Sequence, residues 1–316
     1  MGIYASENRM NIIEKNDSLY PKLLKEIGDA PKRLYYKGNW DNIFSAQGGP
    51  ASGGEHCLAV VGTRRMTTYG KRITEQLVGE IAAAGITIVS GFMYGIDATA
   101  HKAALRAGGR TIAVMPCGID VIHPGDQKDL YNEILENGGL IVSEYEGTFL
   151  PTLWSYPKRN RIVAGLSQAA MVVEAGENSG SLITANFAKK FSRNVFAVPG
   201  PLTSSVSVGI MQLIREGASV VTSAKDILDY FRQNLKFFPS LSLASKAGSP
   251  TTKKIFNSGF HSDLEQKILE QLRSEPFAID SLARILGVPV AILGAALSLL
   301  QLSGIISEEG GKYYVH

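Results

Sequence analysis

The sequence predicts an α/β protein: a Rossmann-like, doubly wound and mostly parallel sheet, followed by a small carboxy-terminal winged-helix domain. Two observations predict the sheet. Short apolar runs alternate with amphipathic stretches between residues 57 and 232, as strands and helices do when they take turns along a parallel sheet. Several runs are apolar on both faces, including residues 58–61, which fits a sheet that helices cover on each side.

The elements divide the chain into four regions. Residues 1–56 form an amino-terminal lead-in that ends in a Gly-rich loop at 47–54, and residues 57–235 form the Rossmann-like domain. Residues 236–260 lack a sustained period and are predicted as a linker to the winged-helix domain at 261–316. Within the Rossmann-like domain, helices are predicted at 69–84 and 95–107, and strands at 58–61, 86–89, 111–115, 140–142, 170–173 and 195–198.

The carboxy-terminal region is predicted as three helices followed by a β-hairpin, the winged-helix arrangement. The helix at 290–302 occupies the recognition position, yet it contains no Arg, Lys or Asn to contact bases or phosphates. We therefore expect this helix to contact protein rather than to bind in a DNA groove. The other elements are helices at 264–273 and 279–286, and strands at 304–307 and 312–315.

The overall composition is that of a globular protein with a sizeable core, with 45% apolar and 19% charged residues. The formal net charge of the 316 residues is only +3, so any binding to a polyanion has to come from local clusters of cations. Cys57 and Cys117 lack metal or redox spacing, and no apolar run is long enough to span a bilayer. We expect a cytoplasmic protein without a cofactor, a metal site or membrane contact.

Three turns at one edge of the predicted sheet are suited to bind an anion. The carboxyl ends of parallel strands share an edge, where helix amino termini present backbone N–H groups. Glycine allows close approach to the backbone, and Arg binds phosphate through two parallel hydrogen bonds. Each turn alone also fits an ordinary strand-to-helix connection. The candidate residues are Gly62, Thr63, Arg64 and Arg65 in the first turn, Ser90 and Gly91 in the second, and Gly180, Ser181 and Thr184 in the third.

The segment 154–161 combines aromatic and cationic residues and indicates a contact with single-stranded nucleic acid. Trp154 and Tyr156 are candidate stacking residues, each worth about 1–3 kcal/mol per base. The alternative is that the aromatic rings fill the core and that the arginines flank a helix start in water. The candidate phosphate contacts are Lys158, Arg159 and Arg161, and Asn160 is a candidate contact to a phosphate or a base edge.

No catalytic residue is predicted. Asp97 and His101 lie one helical turn apart and would suit an acid/base pair. We favour a different interpretation, in which Asp97 caps or orients the helix amino terminus and His101 is a partner on the same helix face. The chain also contains neither a G-x-G-x-x-G nor a G-x-x-x-x-G-K-[ST] motif, so dinucleotide and ATP binding are not supported.

Taken in order, these motifs resemble the DNA-processing protein A (DprA/Smf) family. The resemblance implies a Rossmann-like domain that binds single-stranded DNA as a homodimer and assists loading of the RecA recombinase during natural transformation, without known catalysis. It also implies DNA contacts at Arg64 and the 159–161 run, with the glycines and hydroxyls of the turns lining the pocket. The matching segments are 20–24, 61–64, 95–97, 100–101, 159–167, 179–185, 198–200 and 213–218.

The chain departs from the family pattern at three places. Phe92 and Met93 stand where small residues are usual, and we expect them to narrow the pocket. Met211 stands where an Asn is common, and the stretch at 47–54 resembles an insertion.

Two other classes of function stay open. One is a nucleotide phosphoribohydrolase of the LOG type or another nucleotide-binding Rossmann enzyme, but residues 175–183 lack the LOG motif Pro-Gly-Gly-x-Gly-Thr-x-x-Glu. The other is a ligand-sensing transcriptional regulator, against which the apolar helix at 290–302 argues.

Overall fold

The computed structural model describes residues 11–44, 56–235, 263–302 and 305–315. The predicted Gly-rich loop and the predicted linker lie outside the described residues. The chain divides into two compact units, residues 1–247 and residues 248–316.

The first unit is built on one sheet of nine described strands in the order β1-β2-β6-β5-β4-β3-β7-β8-β9. From β6 to β9 every neighbouring pair is parallel, whereas β2 is antiparallel to β6 and β1 is antiparallel to β2. The six predicted strands correspond to β3–β8, so the Rossmann-like fold is confirmed. The strands are β1 Asn11–Glu14, β2 Arg33–Gly38, β3 Cys57–Val61, β4 Thr87–Ser90, β5 Thr111–Gly118, β6 Leu140–Tyr145, β7 Ala169–Val172, β8 Asn194–Ala197 and β9 Ser219–Val220.

Helices cover both faces of this sheet, and β3 shows why its sequence is continuously apolar. Val61 packs with helices on one face of the sheet, whereas Leu58 and Val60 pack with helices on the other face. Because both faces of the strand are buried, both sets of side chains have to be apolar. The helices of this unit are α1 Lys22–Lys25, α2 Trp40–Phe44, α3 Thr68–Ala83, α4 Ile96–Arg106, α5 Lys128–Glu136, α6 Ser155–Gly165, α7 Gly180–Lys190, α8 Val208–Arg215 and α9 Ala224–Leu235.

Residues 11–44 were expected in a separate lead-in, but they belong to the same compact unit as the sheet. Strands β1 and β2 extend the sheet beyond β6, and Leu34 of β2 is fully buried. Leu24 of α1 is also fully buried, in the core shared with α6. The sequence did not predict these strands because the apolar residues of both are few and fall between charged neighbours.

The second unit is a winged-helix domain, as predicted. Its helices are α10 Asp263–Ser274, α11 Ile279–Leu286 and α12 Val290–Leu302, and its antiparallel hairpin joins β10 Ile306–Glu309 to β11 Lys312–Val315. The hairpin differs from the prediction in that β10 runs on to Glu309, and the turn consists of Gly310 and Gly311. Both glycines have positive φ angles, 59° and 76°, which side chains other than glycine rarely adopt.

Candidate functional site

A cavity of about 650 Å³ lies at the carboxyl edge of the parallel strands, where the loops after β3 and β4 meet α6 and the start of α7. The structure therefore brings together residues that are distant in sequence, as the shared strand edge predicts. The sequence-predicted residues that line it are Gly62, Thr63, Arg64, Arg65, Gly91, Tyr156, Arg159, Asn160, Gly180, Ser181 and Thr184. The other four, Ser90, Trp154, Lys158 and Arg161, do not line it.

The first turn is held by backbone hydrogen bonds on both sides. The Thr63 amide donates to the Glu174 carbonyl at the end of β7 (2.7 Å), and the Thr63 carbonyl accepts from the Ile96 amide at the start of α4 (3.2 Å). A Cβ at Gly62 would lie 2.5 Å from the Ile96 side chain. Glycine is therefore needed here to let the turn pass close to α4.

Arg64 extends from this turn and contacts an aromatic ring of α6. Its guanidinium lies 5.1 Å from the centroid of the Tyr156 ring, within the range of a cation–π interaction. Arg64 is exposed and lines the cavity, so its N–H groups are available to a ligand. Tyr156 also lines the cavity, and its hydroxyl lies 2.7 Å from Nε2 of His123.

Arg159 lies at the inner end of the cavity and is only 3% exposed. Its guanidinium donates to the backbone carbonyls of Gly91 and Val114, and Nε donates to Oδ1 of Asn160 at 3.2 Å. Burial lowers the pKa of Arg159 to about 10, and the nearby Asp97 carboxylate opposes this shift. The alternative of an arginine in water is therefore wrong for this residue. Arg159 contributes positive charge from a fixed position.

Asp97 and His101 occupy different environments and do not form an acid/base pair. Asp97 faces Arg159 and accepts from the Met93 amide (3.4 Å), and burial raises its pKa to about 6. His101 is paired with the Thr111 hydroxyl (2.7 Å), and burial lowers its pKa to about 3. Asp97 thus orients the turn that precedes α4, as the favoured interpretation predicts.

The amino terminus of α7 forms the opposite wall of the cavity. Ser179 caps this helix by accepting from the Ser181 amide (3.4 Å), and the Asn160 side chain donates to the Gly180 carbonyl (3.1 Å). A Cβ at Gly180 would meet nothing within 4 Å, because this residue faces open space. The partial positive charge of the helix amino terminus and the hydroxyls of Ser181 and Thr184 favour an anion there.

Arg161 is placed differently from the prediction. It is 4% exposed, and its guanidinium pairs with Glu144 (2.6 Å) and Asp29 (3.3 Å) instead of lining the cavity. Ser90 is also outside the cavity lining, because its hydroxyl donates to the Val60 carbonyl (2.6 Å) between neighbouring strands. For these two residues the expected direct DNA contact does not fit their placement, since their polar atoms are directed to protein partners.

Trp154 and Lys158 belong to a surface cluster beside the cavity. We call Tyr145, Phe149 and Trp154 the outer aromatic cluster, since their ring centroids lie 4.6–6.0 Å apart. Trp154 is 52% exposed, so the alternative that it fills the core is wrong. Lys158 Nζ lies 5.6 Å from the Trp154 centroid and 3.5 Å from a Glu144 carboxylate oxygen. Leu153, which lines the cavity, is the chain neighbour of Trp154.

Of Phe92 and Met93, which depart from the family pattern, only Met93 lines the cavity. Phe92 is fully buried against α5, with its ring 6.1 Å from that of Tyr131, and therefore does not narrow the cavity. Its φ of 59° lies in the left-handed region, which costs a bulky residue strain energy. Met93 does line the cavity, as expected, whereas Met211 lies on α8 outside the lining residues.

The sequence interpretation missed several residues of this site, including His123, Leu153 and Ile183. Leu153 and Ile183 line the cavity, and single apolar residues beside polar motifs give no signal in a sequence. Among the residues that the structure describes, no cluster of His, Cys, Asp or Glu has the arrangement of a metal site. None of the described helices is both long and apolar enough to cross a bilayer.

The chain matches the family model of DNA recombination-mediator protein A over residues 11–232 and that of the DprA winged helix domain over residues 250–312. Protein Smf from Synechocystis sp. is 35% identical over 324 residues, which cover 95% of this chain and 78% of the relative.

Two solved structures share the fold over about 70% of this chain. DNA processing protein A from Streptococcus pneumoniae matches with a TM-score of 0.63 and 40% identity, over 70% of this chain and 74% of that one. DNA processing protein A from Helicobacter pylori matches with a TM-score of 0.60 and 32% identity, over 71% of this chain and 95% of that one. The Helicobacter structure is described in terms of a unique single-stranded DNA binding mode.

Proposed function

The chain belongs to the DNA recombination-mediator protein A family, and from this premise we propose that its cavity binds single-stranded DNA. Membership confirms the resemblance inferred from the sequence motifs. One observation carries the proposal: Arg64, Tyr156 and the amino terminus of α7 line a single cavity. A cation, an aromatic ring and helix-start amides together suit a strand of phosphates and unpaired bases.

Each part of the cavity is suited to one part of a nucleotide. Arg64 binds a phosphate at the mouth, and the α7 amino terminus binds a second one through N–H groups and the hydroxyls of Ser181 and Thr184. The Tyr156 ring offers a stacking surface between them. Arg159 adds long-range attraction from its buried position. Gly62, Thr63, Arg65, Gly91 and Asn160 complete the walls of the cavity.

The strand continues, in this proposal, over the outer aromatic cluster. Trp154 is half exposed beside Leu153, which lines the cavity. Lys158 lies over the Trp154 and Tyr145 rings, so a cation accompanies the stacking surface. Bases in a duplex are already stacked on one another, and they would not reach these rings. The surface therefore favours unpaired strands.

We also propose that the protein acts by binding rather than by catalysis, as a cytoplasmic homodimer that assists loading of the RecA recombinase. The family description as a recombination mediator supports the recombinase as a partner. The separate environments of Asp97 and His101 support binding over catalysis. The buried free thiols of Cys57 and Cys117 fit a reducing compartment.

The test is a binding titration with three ligands of equal length: a dT oligonucleotide, the matching duplex and the matching RNA, each at low and high salt. We expect the single strand to bind most tightly and its affinity to fall steeply with salt, because counterions are released. Equal affinity for the duplex would contradict the proposal. Release of free base from a nucleoside monophosphate would favour the phosphoribohydrolase instead. Light scattering and a RecA pull-down on the bound strand test the dimer and the partner.

A further inference from the structure

His123 stands directly behind the aromatic wall of the cavity. It is half-buried in the segment between β5 and the 3₁₀ turn Gly125–Gln127. Its Nε2 lies 2.7 Å from the Tyr156 hydroxyl oxygen, with the two ring centroids 6.0 Å apart. On the other side, the Arg64 guanidinium lies 5.1 Å from the Tyr156 centroid. Tyr156, which lines the cavity, thus contacts both His123 and Arg64.

We propose that His123 is a positioning residue of this cavity, and that it takes up a proton when the phosphate of a single strand binds beside Tyr156. The inference rests on the proposed function, because it assigns a role to His123 at the same site. The hydrogen bond between His123 and the Tyr156 hydroxyl fixes the tilt of the Tyr156 ring and so maintains the surface that Arg64 and a base contact.

The hydrogen bond between the two side chains explains why protonation of His123 affects ligand binding. A neutral imidazole can accept at Nε2, so the Tyr156 hydroxyl can donate to it. A protonated imidazole carries hydrogen on both nitrogens, so Nε2 then donates to the Tyr156 oxygen. The tyrosine hydrogen must turn to another acceptor, and a phosphate oxygen bound at Arg64 is one. Protonation therefore converts the Tyr156 hydroxyl into a donor toward the ligand.

The charged groups around His123 set the direction of this switch. Partial burial and the Arg64 cation lower the pKa of His123, whereas the Asp126 carboxylate raises it. Asp126 accepts a hydrogen bond from the Tyr94 hydroxyl (2.7 Å), and Tyr156 faces the ring from α6. In the free protein His123 is therefore mainly neutral at pH 7. A phosphate placed beside it raises its pKa, so binding takes up a proton.

Asp97 is a second titratable group beside the ligand, and its effect on binding has to be distinguished from that of His123. Asp97 lines the same cavity, and burial raises its pKa to about 6. Its neutralisation in mild acid would also favour an anionic ligand. The two groups differ in partners, since Asp97 contacts the Met93 amide and faces Arg159, whereas His123 contacts Tyr156. Substitution of each residue alone therefore distinguishes them.

The experiment measures the affinity of the full chain for a dT oligonucleotide by fluorescence anisotropy between about pH 8 and pH 6 at constant ionic strength. Thymine does not titrate in this range, so any change belongs to the protein. One linked proton gives at most about a tenfold change per pH unit. We expect the wild type to gain about three- to tenfold in affinity as the pH falls over this range.

Three variants assign the gain. His123→Ala should bind more weakly at pH 8 and lose most of the gain. His123→Gln carries an amide N–H that can donate to the Tyr156 oxygen but does not titrate, so it should restore most of the affinity at pH 8 without restoring the gain. Tyr156→Phe keeps the ring and should reduce the gain. A thermal melt of each variant checks that the fold is retained.

The outcomes are distinct. Retention of the full gain in His123→Gln overturns the inference, as does a gain that disappears in Asp97→Asn but not in His123→Gln. A wild type that binds the oligonucleotide with no pH dependence overturns the inference while leaving the proposed function in place. A wild type that does not bind at either pH overturns both.

Discussion

Arg159 and Arg161 lie two positions apart on α6, yet their guanidinium groups contact different partners. Arg159 donates to the carbonyls of Gly91 and Val114 beside the cavity, whereas Arg161 pairs with Glu144 and Asp29. Two residues on a helix differ by about 200° around its axis, so both cannot face one ligand. The Arg-Asn-Arg run is therefore divided between the site and the scaffold.

The role of Arg161 as part of the scaffold leads to the first prediction. Arg161→Ala leaves the Glu144 carboxylate without its closest cation, and breaking a buried pair of this kind costs about 3 kcal/mol. We expect this loss in the free energy of unfolding, measured by urea denaturation. The affinity of the folded fraction for a dT oligonucleotide should stay near that of the wild type. A tenfold loss of affinity at full folding would instead place Arg161 in the DNA contact.

Arg64 is expected to act on the ligand. Arg64→Ala should weaken binding to a single strand by about tenfold to a hundredfold, because a charge-assisted hydrogen bond contributes about 1.5–3 kcal/mol. The slope of log affinity against log salt should fall by about one unit. Arg106→Ala is the matched control, since Arg106 is exposed and pairs with Glu75 at 3.5 Å outside the cavity lining. Equal salt slopes for Arg64→Ala and the wild type would contradict a phosphate contact.

Trp154 is the most exposed ring of the outer aromatic cluster. Trp154→Ala should reduce the binding free energy of a long single strand by about 1–3 kcal/mol, the usual contribution of one stacked base. A strand of only a few nucleotides, which occupies the cavity alone, should lose less. Leu202→Ala, at a residue 84% exposed and outside the cavity lining, is the control. An equal loss for short and long strands would argue against a continuous path.

The close packing around Gly91 leaves no room for a side chain at this position. A Cβ there would lie 2.6 Å from the Arg159 guanidinium and 2.7 Å from an Asp97 oxygen, closer than atoms approach without displacement. Gly91→Ala should cost about 1–3 kcal/mol of stability and weaken binding by moving Arg159. Gly79→Ala is the control, because a Cβ in this part of α3 meets nothing within 4 Å. It should stabilise the helix by about 0.5–1 kcal/mol. Urea unfolding of both variants measures the difference.

Asp97 and His101 predict opposing pH effects on stability. Burial lowers the pKa of His101 in the folded state to about 3. Below about pH 6.5 the unfolded state therefore takes up this proton first, and the free energy of unfolding declines by about 1.4 kcal/mol per pH unit. Burial raises the folded pKa of Asp97 to about 6, so the folded state takes up this proton first and gains stability as pH falls toward 4. The two slopes oppose each other between pH 6 and 4.

Removal of one group exposes the other. In Asp97→Asn the free energy of unfolding should fall more steeply between pH 6 and 4 than in the wild type, as measured by urea unfolding at a series of pH values. Parallel curves for the two proteins would show that Asp97 does not titrate in this range.

The central fold could be predicted because burial of the sheet on both faces produces a recognisable pattern in the local sequence. Each inner strand has to be apolar throughout, as at Leu58 and Val60, and the helices between strands carry a helical period. Strands β1 and β2, at one end of the sheet, lack this pattern. Their few apolar residues, such as Ile13 and Leu34, become informative only once they are paired with the sheet.

The site could be predicted in its location but not in its contacts. The shared edge of the parallel strands brings Gly62, Gly91 and Gly180 together whatever their side chains do, because the topology dictates it. The direction of each side chain depends on partners from elsewhere in the chain. Arg161 lies away from the cavity because Glu144 and Asp29 are there to pair with it.

The sequence by itself determined the alternation of strands β3–β8 with helices, the winged-helix unit, the edge of the sheet that carries the cavity and the family, since all of these depend on local patterns. Only the tertiary structure decided that Arg159 is buried and Trp154 exposed, that Phe92 turns away from the cavity, and that His123 contacts Tyr156. The physical reason is that the burial and the hydrogen bonds of a side chain depend on its contact partners, and these partners lie tens of positions away in the sequence.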